Sequence, residues 1–431
     1  MTEQKKGGNI VAIVTMCFIF AMISFVTNMA APFGNIWGNK VESAKMLGNL
    51  MNFTAYLFMG IPAGKMLMKV GYKKTTLIAL AIGFVGVCIQ YLSSFDCFSV
   101  NAALCVYLCG ALVCGFCVCM LNTVVNPMLN ILGGGGNRGN QLIQTGGTLN
   151  SLTGTLTPLL VGALIGTVTA ETSMSNVAPL LFIAMGVFAA AFVIISFVKV
   201  PEPAQERNVQ VYESSPWHFR HFVLGAIAIF FYVGVEITIP AEVNFYLADA
   251  SEKGAGIAVN GAAIGGAIAA LYWLLMMIGR FCSTLISGKV STRTQMITVC
   301  SVALALVVFA IFLPKSLTVN MPGYSVVDGF ASYQVPISCL LLVLCGICTS
   351  VMWGAIFNLA VEGLGKYTEA ASGIFMMLVV GGGIMPWIQE IIARTNVGYM
   401  NSYWLVVLML AYLLYYSLIG CKNVNKDIKI D

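Results

Sequence analysis

The chain has 431 residues, of which 59% are hydrophobic and only 9% are charged, and its mean hydropathy is +0.89. Soluble domains carry about a quarter charged residues, so this composition excludes a water-soluble fold and indicates that lipid is the solvent. The formal net charge of +5 fits the excess of Lys and Arg in the cytoplasmic loops of membrane proteins, and it requires no nucleic-acid partner.

Apolar segments long enough to cross about 30 Å of hydrocarbon recur along the whole chain. Because backbone polar groups in lipid must be paired within their own segment, we predict helices rather than strands there. The first segment runs too long for a signal peptide and lacks a cleavage site. We predict an all-α integral membrane protein with twelve transmembrane helices near 9–34, 44–68, 75–95, 102–128, 141–168, 177–198, 221–248, 258–287, 294–313, 334–358, 370–393 and 402–421.

A polar segment divides the predicted helices into two sets of six. We expect an N-terminal half at 1–198, a cytoplasmic linker at 199–220 and a C-terminal half at 221–431. The second helix of each half is followed by a similar motif, "GKMLMKVGYKK" from Gly64 and "GKVSTRTQ" from Gly288. A second pair of similar motifs ends the fourth helix of each half, and its two members are separated by nearly the same number of residues as those of the first pair. These matches predict a parallel six-helix repeat, the arrangement of the major facilitator fold.

The distribution of basic residues predicts the orientation. With both termini in the cytoplasm, sixteen of the 22 Lys and Arg residues fall in cytoplasmic segments and five in outer segments, and Arg280 lies within a span. This bias predicts a multi-pass protein of the bacterial cytoplasmic membrane. We expect Arg280, near the cytoplasmic end of its helix, to serve structure, either by reaching the membrane interface or by tying two loops together.

The fourteen cysteines indicate neither a metal site nor a disulfide framework. Five of them crowd the fourth predicted helix, and the only two histidines, His218 and His221, border the linker. Small apolar packing residues explain this use of cysteine better than metal ligands do. We therefore predict no metal and no cofactor, and the lack of converging titratable groups at a membrane face argues against an enzyme.

Neutral amides are the distinctive polar residues of the apolar segments. In "MLNTVVNPMLNIL" (120–132), Asn122 and Asn126 are four residues apart and share one helix face. Asn28 lies in the first predicted helix and Asn150 in the fifth. An amide donates and accepts hydrogen bonds without charge, which suits a neutral polyhydroxyl ligand. The alternative role is hydrogen bonding between helices.

Two further residues of the apolar segments can contact a ligand. Glu236 lies well inside the seventh predicted helix, where lipid makes a charge costly, so we expect it to bind a cation, a proton or a polar substrate. The alternative is a neutral buried acid bonded to a neighbouring helix. Trp353, in the tenth helix, can stack on the apolar face of a sugar or pack in the core.

Prolines and glycines suggest moving parts. Pro240 frees the backbone carbonyl of Glu236 by removing one helical hydrogen bond. A run of three glycines and a following proline make a helix that can bend, as a gate requires, although close helix packing is the alternative. The candidate gating residues are Pro240, Gly381, Gly382, Gly383 and Pro386.

Several of these segments resemble one known family. "YVGVEITIPAEVNFYL" in the seventh helix, "GRF" in the eighth and above all "IFNLAVEGLGKYTEAASGIFMMLVVGGGIMP" (356–386) are similar to the fucose–galactose–glucose symporters, a branch of the major facilitator superfamily. "IPAGKMLMKVGYKK" and "LNTVVNP" in the first half support this resemblance. It covers nearly the whole chain and implies twelve helices, alternating access and uptake of a small sugar, commonly driven by protons.

The resemblance also reveals departures from the family pattern. Fucose-transporting members have acids, linked to proton coupling and substrate binding, where this chain has Asn28 and Asn122. An asparagine can bind a sugar hydroxyl but cannot carry a proton. Asn150 falls at a sugar-contacting asparagine and Trp353 at an aromatic position, whereas Glu236 resembles the glutamate of the glucose–galactose members.

Together these features predict a monomeric transporter in the lipid bilayer that takes up a small neutral sugar, coupled to a proton or sodium ion through Glu236. The expected substrate contacts are Asn28, Asn122, Asn126, Asn150, Glu236 and Trp353. The alternatives are an uncoupled sugar uniporter, an exporter of an amphipathic compound and, from a different class, a membrane nutrient sensor. An exporter would need a broad apolar pocket, and a sensor would need a long soluble domain.

Overall fold

A computed structural model of the chain describes residues 3–95, 97–133, 136–165, 172–200, 202, 215–257, 260–286, 290–325, 329–364 and 367–425. Its helices are α1 Glu3–Asn28, α2 Ala30–Lys40, α3 Leu47–Val70, α4 Tyr72–Leu92, α5 Val100–Leu132, α6 Gly136–Ile165, α7 Ala178–Phe197, α8 Arg220–Ala248, α9 Gly261–Ile286, α10 Thr292–Phe312, α11 Ile337–Val361, α12 Thr368–Leu378, α13 Gly381–Arg394, α14 Gly398–Ser402 and α15 Trp404–Tyr415. Two strands, β1 Thr318–Ser325 and β2 Gly329–Pro336, lie between α10 and α11.

The helices agree with the predicted spans. Within the described residues, ten helical segments are long and apolar enough to cross a membrane. The spans predicted near 44–68 and 141–168 are the remaining two, α3 with 24 residues and α6 with 30 residues. These two helices have lower mean hydropathy because they carry several amides and hydroxyls. Both pack within the same bundle as the others.

One element was not expected from the sequence, a β-hairpin in the loop before α11. Its strands are antiparallel, with Thr318 opposite Pro336 and Ser325 opposite Gly329. Because the hairpin lies in a loop rather than in a span, it does not conflict with the rule that open sheets avoid hydrocarbon. Strand β1 packs against α9, and Met321 and Tyr333 are buried.

Polar contacts identify the two ends of the bundle. We call one the hairpin end, where β1 and β2 lie and where Lys253 Nζ donates a hydrogen bond of 3.2 Å to Arg394 O. We call the opposite one the linker end, where Arg220 N donates a hydrogen bond of 2.9 Å to Asn425 Oδ1. The predicted sequence orientation corresponds to a cytoplasmic linker end and an outer hairpin end.

The first half (1–198) and the second half (221–431) are named here by sequence position alone. Of the predicted linker, residues 201 and 203–214 lie outside the described residues, and so does Gly288 of the second repeat motif. Helix α3 of the first half packs along α12 and α13 of the second, and α6 packs on α9. The bundle therefore has two long contacts between the halves.

Glycines allow the α3 contact to be close. A Cβ atom built on Gly60 would lie 2.8 Å from Met377 N, and one built on Gly64 would lie 3.8 Å from Gly373 Cα. Small residues are what such an approach of two helix backbones in lipid requires. The packing interpretation of glycine therefore applies here, at the linker end of α3.

The candidate gating residues fall into two different structural settings. The helix predicted near 370–393 is interrupted between Leu378 and Gly381, immediately before the glycine run. All three of these glycines are buried against neighbouring backbone or side chains, so the run also serves close packing. In contrast, α8 continues through Pro240 from Arg220 to Ala248 without a break.

Candidate functional site

A cavity of about 120 Å³ lies at the centre of the bundle, between the two halves. Helices α1, α3, α5 and α6 form one wall, whereas α8, α9, α11 and the junction of α12 with α13 form the other. The larger polar side chains of the lining are Asn28, Asn122, Gln144, Asn150, Glu236 and Arg280. The aromatic ones are Phe20, Phe53, Tyr56, Trp273 and Trp353.

The amides of α5 have different surroundings. Asn122 lines the cavity, and its Nδ2 donates a hydrogen bond of 2.8 Å to Tyr56 OH. Asn126 does not line the cavity; it is 8% exposed, and its Nδ2 donates to Asn122 O at 2.9 Å. The geometry therefore gives no support to the expected contact of Asn126 with substrate, because Asn126 is not part of the cavity lining.

Two further amides of the first half lie in the cavity wall. At the end of α1, Asn28 Nδ2 donates to Ser24 O at 2.9 Å and to Ser24 Oγ at 3.0 Å. On α6, Asn150 Nδ2 donates to Phe20 O at 3.0 Å, which ties α6 to α1. Each bond holds an amide beside the cavity, so this wall presents neutral hydrogen-bonding groups.

The opposite wall carries an ion pair. Arg280 Nη2 lies 3.5 Å from Glu236 Oε1, and the side chains are only 10% and 12% exposed, respectively. Arg280 Nη1 donates to Gly147 O at 2.6 Å and to Ser151 Oγ at 3.0 Å. Glu236 and Arg280 belong to the second half, whereas Gly147 and Ser151 belong to the first. The guanidinium therefore joins the halves while it offsets the charge of Glu236.

This position corrects one expectation from the sequence. Arg280 was expected to serve structure by reaching the membrane interface or by tying two loops together; instead its guanidinium is buried in the cavity wall and bonded to α6, so it joins two helices. A buried charge with a partner and several hydrogen bonds is far less costly than a lone one. The pair is consistent with a cavity that carries no net charge.

Trp353 of α11 lines the same wall. Its ring centroid lies 6.2 Å from that of Tyr232 and 6.0 Å from that of Phe375. These contacts pack the indole into the core, which is one of the two roles considered from the sequence, and the indole also lines the cavity. A second indole, that of Trp273 on α9, also lines the cavity.

Sequence reasoning did not assign four lining residues to the site: Tyr56, Gln144, Trp273 and Arg280. Gln144 and Arg280 carried a usable signal, since polar side chains inside apolar spans are costly. Tyr56 and Trp273 carried none, because aromatic residues are common on any packed membrane helix. Only their contacts with α5 and α6 distinguish them from core residues.

Within the described part of the chain, no three residues among His, Cys, Asp and Glu are grouped as a metal ion would require. The cysteines there are free thiols, and many are buried. The chemistry available in the cavity is therefore hydrogen bonding, stacking and one ion pair.

A polar site at the centre of a bundle of apolar helices is the arrangement of many membrane transporters. The sequence profile of the Major Facilitator Superfamily matches residues 11–386. The chain belongs to this superfamily, which confirms the predicted all-α transmembrane fold.

Known proteins share this fold over their full length. A glucose/galactose transporter of Brucella abortus is 27% identical over 432 residues, which cover 98% of this chain and 96% of that protein. A putative glucose/galactose transporter of Helicobacter pylori is 24% identical, with coverages of 97% and 99%. The crystal structure of the E. coli fucose:proton symporter FucP has a TM-score of 0.72 at 17% identity, with coverages of 96% and 99%.

These similarities confirm the resemblance to the fucose–galactose–glucose symporters. The relatives are named as transporters, which confirms the prediction that the chain is not an enzyme. The likeness to FucP concerns the fold.

Proposed function

We propose that this protein takes up a small neutral sugar across the bacterial cytoplasmic membrane by alternating access, with cation coupling through Glu236. The main observation that supports this proposal is a central cavity with amides on one wall and an ion pair and indoles on the other. The names of the relatives, which refer to glucose and galactose, support the same substrate class.

The cavity chemistry suits a polyhydroxyl ligand. Asn28, Asn122 and Asn150 offer donors and acceptors without charge, as sugar hydroxyls require. Glu236 is a strong acceptor for a hydroxyl, and because Arg280 offsets its charge, the site does not require a charged substrate. An indole such as that of Trp353 can pack on the apolar face of a pyranose ring.

The ion pair also offers a route for coupling. Arg280 contacts Glu236 in its own half and Gly147 and Ser151 in the other half. A proton or sodium ion on Glu236 would compete with Arg280 for the carboxylate, which would weaken the contact on the Glu236 side. Whether Glu236 holds a cation would then change how tightly the two halves are joined around the cavity.

In this proposal the halves at 1–198 and 221–431 move as two units, connected by the linker at 199–220. The excess of Lys and Arg in the linker-end segments supports a cytoplasmic position for that end and for both termini. The hairpin end would then face outward. We propose that the monomer is the transporting unit, because the cavity is built within one chain.

Counterflow in proteoliposomes tests the function without assuming a coupling ion. The panel contains labelled glucose, galactose, fucose and N-acetylated hexoses, and protein-free liposomes are the control. Saturable exchange of one sugar class is the expected result. Absence of exchange for every sugar, from protein that elutes as a single folded species, would reject a sugar transporter.

The coupling step requires its own test. In Glu236→Gln the side-chain shape is kept but the group can no longer titrate or hold a cation. We expect counterflow to continue while gradient-driven accumulation is lost. The matched control is Glu252→Gln, since Glu252 is an exposed acid at the hairpin end. Undiminished accumulation by the Glu236 variant would exclude coupling through this residue.

A further inference from the structure

A second acid of α8 is buried without a hydrogen-bond partner. Glu242 lies beyond the cavity toward the hairpin end, is 0% exposed, and neither of its carboxyl oxygens has a hydrogen-bond partner. An ionised carboxylate in such a position is strongly disfavoured, because nothing replaces the water it has lost. A carboxyl group that holds its own proton does not face this cost.

A second buried carboxyl group, on a helix that packs against α8, acts electrostatically on Glu242. Glu390 on the neighbouring α13 is 3% exposed, and its Oε1 accepts hydrogen bonds from Arg394 Nε at 2.9 Å and Nη2 at 2.8 Å. Its Oε2 is buried and unpaired. Of the charged groups near Glu242, Glu390 acts on it most strongly. Arg394 is hydrogen-bonded to Glu390, whereas no donor reaches either carboxyl oxygen of Glu242, so a proton on Glu242 would relieve the cost of burying its charge.

Two cations also act on Glu242, Arg394 of α13 and Lys45 of the first half. Lys45 Nζ lies 5.0 Å from the ring centroid of Phe245, one turn further along α8. A Cβ atom on Gly38 of α2 would overlap the Lys45 side chain, so glycine there makes room for it. Lys45 thus lies across the boundary between the halves, over the segment that holds Glu242.

Tyrosines complete the surroundings on the remaining side. Tyr399 of α14 and Tyr403, which directly precedes α15, interact electrostatically with Glu242, and Tyr399 also interacts with Glu390 and Asp249. The Tyr403 hydroxyl donates to Ile239 O at 3.1 Å, so it does not serve the carboxyl group.

We propose that Glu242 and Glu390 form a proton-binding site near the hairpin end, separate from the cavity and closed by Lys45. When the halves separate at this end, Lys45 withdraws and water reaches Glu242. The O–H bond of the carboxyl group then breaks, the electron pair remains on the carboxylate, and the proton passes to water. Closure reverses the step. The role of this site in coupling rests on the proposed transport function, whereas the existence of the site does not.

Infrared difference spectroscopy against pH tests the site in the purified full chain. A protonated carboxyl group has a carbonyl stretching band that ionisation removes. We expect Glu242→Gln to lose one such band, Glu390→Gln to shift it, and the exposed-site control Glu252→Gln to leave it unchanged. If Glu242→Gln does not fold, Glu242→Asp keeps a titratable group in altered surroundings and is expected to move the band. A spectrum that neither Glu242 variant alters would overturn the proposal.

The role in coupling is measured separately from the function. If wild-type protein shows no sugar counterflow, the transport function fails while the spectroscopic result stands. If wild-type protein accumulates sugar in a proton gradient, Glu242→Gln is expected to keep counterflow and lose accumulation. Full accumulation by Glu242→Gln, together with loss in Glu236→Gln, would remove Glu242 from coupling.

Discussion

Asn49 of α3 donates a hydrogen bond of 2.9 Å from its Nδ2 to the carbonyl oxygen of Gly382 in α13. Pro386 follows Gly382 by four residues and has no N–H, so the helix cannot pair this carbonyl itself. Asn49 is 7% exposed and belongs to the other half of the chain. A donor that is missing within α13 is therefore supplied across the boundary between the halves.

This relationship predicts a specific double-mutant cycle. Asn49→Ala leaves a buried carbonyl unpaired and is expected to lower the free energy of unfolding by about 1–3 kcal/mol. In a Pro386→Ala background the alanine N–H pairs Gly382 O within the helix, so the same change at Asn49 should cost much less. Unfolding in detergent measures both. The exposed Asn401→Ala is the control, and equal losses from Asn49→Ala in the two backgrounds would contradict the assignment.

The glycine run of α13 predicts an effect of side-chain size. A Cβ atom on Gly381 would overlap Phe230 O of α8. Gly381→Ala should therefore force α13 away from α8 and destabilise the protein by about 1–3 kcal/mol, as overpacking does. Gly266→Ala on α9 is the matched control, because nothing lies within 4 Å of a Cβ atom there. Similar melting temperatures for the two variants would show that the contact is unimportant.

The approach of α3 to α12 predicts a reversible lock. A Cβ atom on Gly64 lies 3.8 Å from Gly373 Cα, which is within reach of a disulfide. Oxidised Gly64→Cys/Gly373→Cys protein should hold the linker end closed and stop counterflow, and a reductant should restore it. Each single variant controls for the fourteen native cysteines. Full transport by a cross-linked sample would mean that the halves need not separate there.

The ion pair predicts that the effects of substituting Arg280 and Glu236 on stability depend on each other. Arg280→Gln leaves Glu236 buried without its cation and removes the charged donor to Gly147 O, so stability should fall by about 3–5 kcal/mol. The double variant with Glu236→Gln should recover part of this loss. Thermal and denaturant unfolding in detergent provide the values. Strict additivity of the two changes would exclude an energetic link between the residues.

The amides of α5 predict a contrast in substrate affinity. Asn122→Ala removes a cavity group, and the half-saturation concentration for sugar counterflow should rise about two- to tenfold, the effect of one hydrogen bond. Asn126→Ala should change this concentration little, because Asn126 does not line the cavity, although it should lower stability. An equal loss of affinity in both variants would place Asn126 in contact with the sugar.

The cavity shows which site residues could be predicted from the sequence and which could not. Asn28, Asn122, Asn150, Glu236 and Trp353 all line one cavity, and each was selected as a polar or aromatic residue within an apolar span. Spacing alone could not separate the two asparagines of α5. Residues four apart differ by about 40° around a helix of 3.6 residues per turn, enough to move one amide off the cavity.

Other features depend on contacts between distant segments. The orientation of Arg280 is set by acceptors on α6, more than a hundred residues earlier in the chain. The pairing of Asn49 with Gly382 spans the two halves in the same way. The hairpin forms where two segments of a loop pair outside the spans, and the pattern of apolar spans did not single these segments out. Such placements follow from the assembled bundle rather than from local pattern.

The hairpin also makes the protein accessible to imaging. A 46.1 kDa chain whose helices lie mostly within a detergent micelle offers little external mass for aligning single particles in an electron microscope. Eight paired positions between Thr318 and Pro336 give a folded epitope outside the spans. An antibody fragment raised against it would provide a rigid external marker, through which different conformations of the bundle could be sorted and reconstructed.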